Sequence, residues 1–304
     1  MRPAIDAAAH LLLLLVLPPL LPGIIARVKA VVAGRSGPPL LQPYYDLLRL
    51  LRKGAVYSRT TTWVFRAGPI VTLASTVVAG CLLPLGERGA PLAFEGDLVL
   101  FAYLLGLGRF MTMSAALDTG SSFEGMGASR EAAFSALSEA AIFLVLVTLV
   151  VATRQLSLSG IFAGLANSPG VNPALWLVVA ALAAVLLAEN ARIPVDDPAT
   201  HLELTMIHEV MVLDHSGPDL ALIEYSSAVK LFVTSVLVVG VLRPAALGDP
   251  LSLAAGAGVV AVAIGIAEST LARLRLPRVK QFLIGSIALA AVALAAELTV
   301  QASA

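Results

Sequence analysis

The sequence holds a single cysteine, Cys81, and only 13% of its 304 residues are charged. One thiol inside an apolar block excludes a disulfide framework and any multi-cysteine zinc or iron-sulfur site within the chain. Basic and acidic residues balance at 20 each, so no bulk positive field argues for nucleic acid as a partner. The apolar stretches do not alternate with polar residues as the strands of a membrane barrel would. No low-complexity segment, repeat of fixed period or appended soluble domain is visible.

What the chain has is hydrophobicity. Apolar residues make up 58% of it, well above the roughly half of a soluble domain, and they gather into blocks of about 20, enough for a helix to cross about 30 Å of hydrocarbon. The expected architecture is all-α: one polytopic integral membrane bundle of about eight transmembrane helices, near 4–26, 67–86, 97–117, 131–153, 173–191, 222–243, 251–272 and 281–301. The first block looks like a signal sequence but carries Asp6 and lacks a small-residue cleavage site, so it reads as a retained span.

Lysine and arginine orient the bundle. Arg27, Lys29, Arg35, Arg49, Arg52, Lys53, Arg59, Arg66, Arg130, Arg192, Arg273, Arg275, Arg278 and Lys280 fall on one side, and Arg2, Arg88, Arg154 and Arg243 on the other. The positive-inside rule makes the first side cytoplasmic and puts both termini outside, in a multi-pass protein of the cytoplasmic (inner) membrane. The cytoplasmic loops are then 27–66, 118–130, 192–221 and 273–280, and the first and third are long enough to be structured. In the first, LLQPYYDLLRLLRKGAV puts Leu47, Leu48, Leu50 and Leu51 beside Arg49, Arg52 and Lys53, as in an amphipathic helix lying along the membrane interface and stopped by Gly54.

The loop LDTGSSFEGMGASRE contains Asp118-Thr119-Gly120-Ser121, the spelling of an aspartic-protease loop. Such an enzyme needs two carboxylates sharing a proton in a β-structured domain, and this chain offers one triplet and no β-domain. Gly120, Gly125 and Gly127 read instead as turn formers, and Ser129 as the N-cap of the next helix.

Ionised side chains inside lipid cost at least about 2.5–3.5 kcal/mol each, and so demand an explanation. Glu139 stands eight residues, about two turns, beyond Glu131 in the fourth span and so on nearly the same face, and the two with Arg130 read as a charged track from the loop into the membrane. Glu189 ends the fifth span three residues before Arg192, within reach of pairing with it. Glu224 and Lys230 add charge at the sixth span. Arg109, Glu268 and Glu297 read as packing pairs or snorkelling groups, whereas Glu139 and Glu189 point to an ion or proton path.

The richest segment is ENARIPVDDPATHLELTMIHEVMVLDHSGPDLALIEY, residues 189–225. It holds Asp196, Asp197, Glu203, Glu209, Asp214 and Asp219, with enough Leu, Met, Ile and Val to pack. His201, His208 and His215 recur every seven residues and hint at a metal site, but HEVMV is not the paired-histidine zinc motif. Proton exchange or simple hydrogen bonding suits them better.

Glu189, the run Arg192-Ile193-Pro194-Val195-Asp196, Glu203 and Ser216-Gly217 resemble the signature loop of the membrane protein that complex I calls its 1 or H subunit. The same family includes formate hydrogenlyase subunit 4, component C of hydrogenase 4 and membrane subunits of other group 4 nickel-iron hydrogenases. GRSGPPLLQPYYDLLRLLRKG is similar to the family's first cytoplasmic loop, and LDTGS, GASRE and Lys230 are similar to its hydrogenase branch. The sequence departs from the family at Ala199 and His201, where further acids are frequent, and at Asp214-His215, where a Glu-Tyr pair is usual.

The resemblance implies a non-redox subunit that binds no cofactor itself. Iron-sulfur clusters and a nickel-iron centre would lie in soluble hydrogenase-like large and small subunits and an iron-sulfur protein, with antiporter-like membrane subunits alongside. It makes Glu131, Glu139, Glu189, Glu203, Glu224 and Lys230 candidates for a proton path. Arg35, Asp118, Arg130, Arg192, Asp196, Asp197 and Asp214 become candidates for the surface facing the electron-transfer arm. The expected function is coupling of redox chemistry in that arm to proton or sodium movement. A quinone-binding subunit of complex I type and a purely structural anchor remain as alternatives, whereas a free-standing transporter would call for an inverted repeat that the sequence does not have.

Overall fold

The structure, a computed structural model, describes residues 2–85, 89–167, 173–197, 206–242 and 249–303. Eleven α-helices run through these residues: α1 Arg2–Val16, α2 Leu20–Val32, α3 Gln42–Leu51, α4 Trp63–Cys81, α5 Asp97–Asp118, α6 Ser122–Thr153, α7 Leu158–Asn167, α8 Pro173–Glu189, α9 Gly217–Leu242, α10 Pro250–Thr270 and α11 Leu276–Ser303. A 3-10 turn at Glu209–Val212 completes the set, and no strand is present among the described residues. Seven helices are long and apolar enough to cross a membrane, counting α1 and α2 together as Ala7–Val32. The one expected span left over, the fifth at 173–191, corresponds to α8, which has 17 residues and is shorter than those seven.

The first span is broken where the sequence places Pro18-Pro19, because neither proline has an N–H to continue the ladder. The carbonyls of Leu15 and Val16 lose their in-helix donors there. Tyr225 donates its hydroxyl to Leu15 O at 2.6 Å, and Tyr44 donates to Val16 O, so both orphaned acceptors are met from other helices. Beyond the break, α2 runs to Val32, so Arg27 and Lys29 are helical and the expected loop start at 27 moves to 33.

The expected loop 118–130 shrinks to residues 119–121, a turn made by Gly120 at φ +71°. Gly125, Gly127 and Ser129 lie inside α6, whose N-cap is Ser121, so the turn-former and N-cap readings of those three residues fail. Gly127 serves packing instead: a Cβ there would stand 2.9 Å from the carbonyl oxygen of Ile207 and closer still to Val210. Asp118 has a structural task. Its carboxylate accepts from Thr62 N at 2.6 Å, Thr62 Oγ1 at 2.9 Å and Phe65 N at 3.2 Å, closing the N-terminus of α4.

The helix α9 is the axis of the bundle, packed against α4, α8, α10 and the short helix α3. Phe65, Phe101 and Phe232 are among the fully enclosed side chains of this core. Two short stretches carry structure that span-length hydropathy does not reveal. One is α7, whose first N–H, from Leu158, is held by Asp97 Oδ1 at 2.7 Å. The other is the 3-10 turn, which carries Glu209 through Val212 over the N-terminal part of α6.

Candidate functional site

Three helices bring one guanidinium and two carboxylates together at membrane level. Arg109 of α5 donates through Nη1 to Glu189 Oε1 of α8 at 2.5 Å and through Nη2 to Glu139 Oε1 of α6 at 2.7 Å. Ser138, one residue before Glu139, accepts from Arg109 Nη1 at 3.0 Å and donates to Glu189 Oε1 at 2.5 Å. The two acids are in different surroundings. The Glu189 side chain is 1% exposed and its Oε2 has no hydrogen-bond partner, whereas that of Glu139 is 45% exposed on the outer flank of the bundle. There it faces a groove of about 460 Å³ bounded by Leu100, Tyr103, Leu104, Gly106, Leu107 and Phe110.

A second chain of contacts rises to the cytoplasmic loop. Glu131 of α6 lies 3.2 Å from His208 Nε2, His208 Nδ1 lies 3.3 Å from Asp196 Oδ2, and Asp196 Oδ1 accepts from Arg273 at 2.7 Å. Asp196 is fixed further by the N–H groups of Ile207 and His208, at 3.2 and 3.0 Å. Burial alone would push the His208 imidazole down, but the charges of Glu131 and Asp196 and their hydrogen bonds outweigh it and push it up to about 10. The same histidine holds Asp196 below the usual carboxylate range, against the upward push of burial.

Because the folded value of His208 lies above its ordinary value of 6.5, its stabilisation is fully present below about pH 6.5 and is lost as pH rises through about 10. The purified protein is expected to lose thermal stability between about pH 7 and pH 10, and His208→Gln to remove that part of the decline. An unchanged pH profile in the variant would show that His208 is not held as an imidazolium.

Between the two chains of contacts lies a cavity of about 390 Å³. Arg109, Glu131, Glu189, Asn190, His208 and Lys230 line its polar end, and Pro19, Pro22, Pro43, Leu47, Leu220 and Ile223 line an apolar arm. Lys230 is half-buried and makes no ion pair within 4 Å among the described residues, although Glu131 and Glu189 both bear on it electrostatically. Counting Glu131, Glu139, Glu189 and Asp196 against Arg109, Lys230, His208 and Arg273, the assembly is neutral when all are ionised. Its charges are unevenly paired: Arg109 serves two acids and Lys230 serves none by contact.

Several sequence expectations are corrected here. Glu189 does not pair with Arg192, because the chain turns at Asn190 and at Ala191, φ +52°, and carries Arg192 away to Glu268 at 3.4 Å. Glu268 also meets Lys29 at 2.8 Å, so it is a packing group held between two cations, as expected for it. Glu131 and Glu139 do not share a face, since eight residues of helix turn the second about 80° from the first. Arg130 leaves the track altogether and donates to Met206 O at 2.9 Å.

His208 and His215 do not share a helical face either, because residues 206–216 hold one short 3-10 turn and no α-helix. His215 stacks on Phe65 with ring centroids 3.9 Å apart, and burial pushes its imidazole down to about 4 against the charges of Asp219 and Asp214. Among the described residues no group of three or more His, Cys, Asp or Glu could hold a metal ion.

The remaining candidates are dispersed. Arg35 and Asp214 are exposed, Asp197 is half-buried beside Asp196, and Glu224 stands at the rim of the cavity near Glu209 and Asp46. Glu203 and His201 lie outside the described residues. The residue that sequence reasoning undervalued is Arg109. Its signal was available: with Lys230, it is one of two basic residues set well inside apolar runs.

Comparison with known proteins follows the same lines. A family profile described as NADH dehydrogenase matches residues 5–298. The chain is 34% identical over 281 residues to Hydrogenase-4 component C of Escherichia coli (strain K12), covering 88% of each chain. It is 31% identical over 278 residues to Formate hydrogenlyase subunit 4 of the same organism, covering 87% of this chain and 89% of that one. To the H subunit of the NADH-quinone oxidoreductase of Anaplasma phagocytophilum (strain HZ) it is 27% identical over 235 residues, covering 70% and 68%. A solved chain of the membrane-bound sulfane sulfur reductase, an archaeal respiratory membrane complex, shares the fold at a TM-score of 0.84 and 20% identity, over 98% of this chain and 100% of that one.

Proposed function

The chain belongs to the NADH dehydrogenase family, as a membrane subunit of a complex of hydrogenase-4, formate hydrogenlyase or complex I-like kind, and on that premise we propose that it couples redox chemistry in a docked cytoplasmic arm to ion movement. In this reading it is the non-redox foot of a group 4 hydrogenase-like assembly in the cytoplasmic (inner) membrane, with both termini outside. Iron-sulfur clusters and a nickel-iron centre belong to the soluble large, small and iron-sulfur partners, and antiporter-like membrane subunits lie alongside.

The observation that carries the proposal is the sharing of Arg109 by Glu189, at the cavity, and Glu139, on the outer flank. A guanidinium stays charged, so protonation changes fall on the carboxylates. When Glu189 takes a proton, its claim on Arg109 weakens and the cation's field is left to Glu139. When Glu189 ionises, the cation is shared again, and Glu139 gains affinity for a proton. Lys230 lines the same cavity as Glu189 and has no ion-pair partner among the described residues, so it serves as the donor. Breaking an Nζ–H bond and forming O–H on Glu189 Oε2 neutralises both groups and leaves no charge stranded. The chain of contacts from Arg273 through Asp196 and His208 to Glu131 supports the reading at its other end, since a charge change in an arm resting on residues 190–216 acts directly on it. Moving one charge against 100 mV costs about 2.3 kcal/mol, which a redox step can supply.

A second reading, a quinone site, is favoured by the apolar arm of the cavity. Its prolines and leucines suit an isoprenoid tail, and its polar end offers donors to a quinone ring, which would serve as a two-electron acceptor. Donor-driven ion uptake by vesicles holding the purified complex tests the first reading. Uptake is expected without added quinone. Full turnover with no uptake would leave an anchor, and turnover that requires quinone and is blocked by cavity inhibitors would favour the second reading.

A further inference from the structure

The interfacial helix α3 has two unlike faces. Inward, Pro43 and Leu47 form part of the cavity wall and the helix leans on α9. Outward, Leu41, Tyr45 and Leu48 follow one another at helical spacing and are 50%, 57% and 53% exposed. The four leucines read as one apolar face therefore divide between the two sides: Leu47 lines the cavity, and Leu48 and Leu51 are exposed. Along the edge of the outward stripe stand Arg49, Arg52 and Lys53. All three are exposed, and none has a side-chain hydrogen bond or ion pair among the described residues. Two other cations of this part of the chain are engaged: Arg27 donates to Ser36 O at 2.5 Å, and Arg66 stacks 4.4 Å over the Tyr57 ring.

The position of α3 fixes what this face meets. The segment entering it presses on a membrane-crossing helix, since a Cβ at Gly23 of α2 would overlap the carbonyl of Leu40. Tyr44 reaches the carbonyl freed at the α1–α2 break. The helix is thus pinned to the flank of a span and does not project into the cytoplasm. An apolar stripe there is covered by acyl chains, and cations one row away stand at the phosphates. We propose that α3 and the turn after it bind the anionic phospholipid headgroups of the cytoplasmic leaflet, with Arg49, Arg52 and Lys53 as the contacts. An acidic protein surface would satisfy the cations but leave the stripe wet, whereas the lipid boundary satisfies both. Because Pro43 and Leu47 belong to the same helix, headgroups that seat α3 also seat one wall of the cavity.

The test uses the whole complex, delipidated in mild detergent and titrated with phosphatidylglycerol or phosphatidylcholine, with bound lipid read by native mass spectrometry. Each cation near an anionic surface is worth about fivefold in affinity. R49Q/R52Q/K53Q is expected to weaken the tightest phosphatidylglycerol binding at least tenfold and to leave phosphatidylcholine binding and melting temperature unchanged. R49K/R52K should keep the binding, because the attraction is to charge. Unchanged phosphatidylglycerol affinity in the triple variant would overturn the proposal. So would loss of the soluble subunits from that variant at unchanged lipid binding, which would assign the surface to a protein partner.

Discussion

A complex carrying Glu139→Gln is expected to pass electrons through its soluble arm at close to the normal rate and to move few or no ions across vesicle membranes. The residue lies far enough from the cytoplasmic loops to leave docking alone: its contacts are Arg109 and the apolar groove between Leu100 and Phe110. Glutamine keeps the shape and a hydrogen-bond acceptor for the guanidinium but cannot carry a proton. Fold stability should change little, because the neutral amide leaves no unpaired charge at this position and Arg109 retains Glu189. Redox activity and ion uptake are measured on the same preparation. Equal loss of both would point to misassembly, and unchanged uptake would remove Glu139 from the path.

Arg109→Gln should have the largest effect on stability of any single change in the site. Removing one partner of a buried ion pair costs about 3–5 kcal/mol, since the other charge is left without compensation. Glu189, with its side chain 1% exposed, would bear most of that cost, because it is the more enclosed of the two acids. A second substitution, Glu189→Gln, removes the stranded charge and is expected to restore at least half of the lost stability. The coupling between the two is read from a double-mutant cycle of melting temperatures. Additive effects would mean that the two residues are not coupled through their ion pair.

The membrane bundle could be read from the sequence because spans announce themselves: apolar runs of about 20 residues need no tertiary information. Local features were harder. Pro18-Pro19 was visible, yet the run of leucines around it hides the break, which is tolerable only because Tyr44 and Tyr225 arrive from elsewhere to meet the freed carbonyls. The glycines of FEGMGASRE look like turn formers, but Gly127 is there to let Ile207 and Val210 approach α6. Asp118 sits in an LDTGS motif and caps a helix whose own N-cap residue, Thr62, stands 56 residues before it.

The acids of the site were all recognisable as charges that lipid does not tolerate. Their partners were not. Arg109 and Glu189 are 80 residues apart, and Glu268 finds Lys29 at the other end of the chain, so pairing depends on which helices are neighbours. Proximity in sequence misled where it was used, since Arg192 lies three residues from Glu189 and turns to Glu268 instead.

The central claim is that Glu189 and Glu139 exchange protonation through their common cation when the arm turns over. Redox-triggered infrared difference spectroscopy of the intact complex reads this directly. Two carboxyl signals of opposite sign are predicted, one abolished by Glu189→Gln and the other by Glu139→Gln. A difference spectrum that neither substitution alters would mean that both acids stay ionised against Arg109 throughout turnover, and would contradict the account.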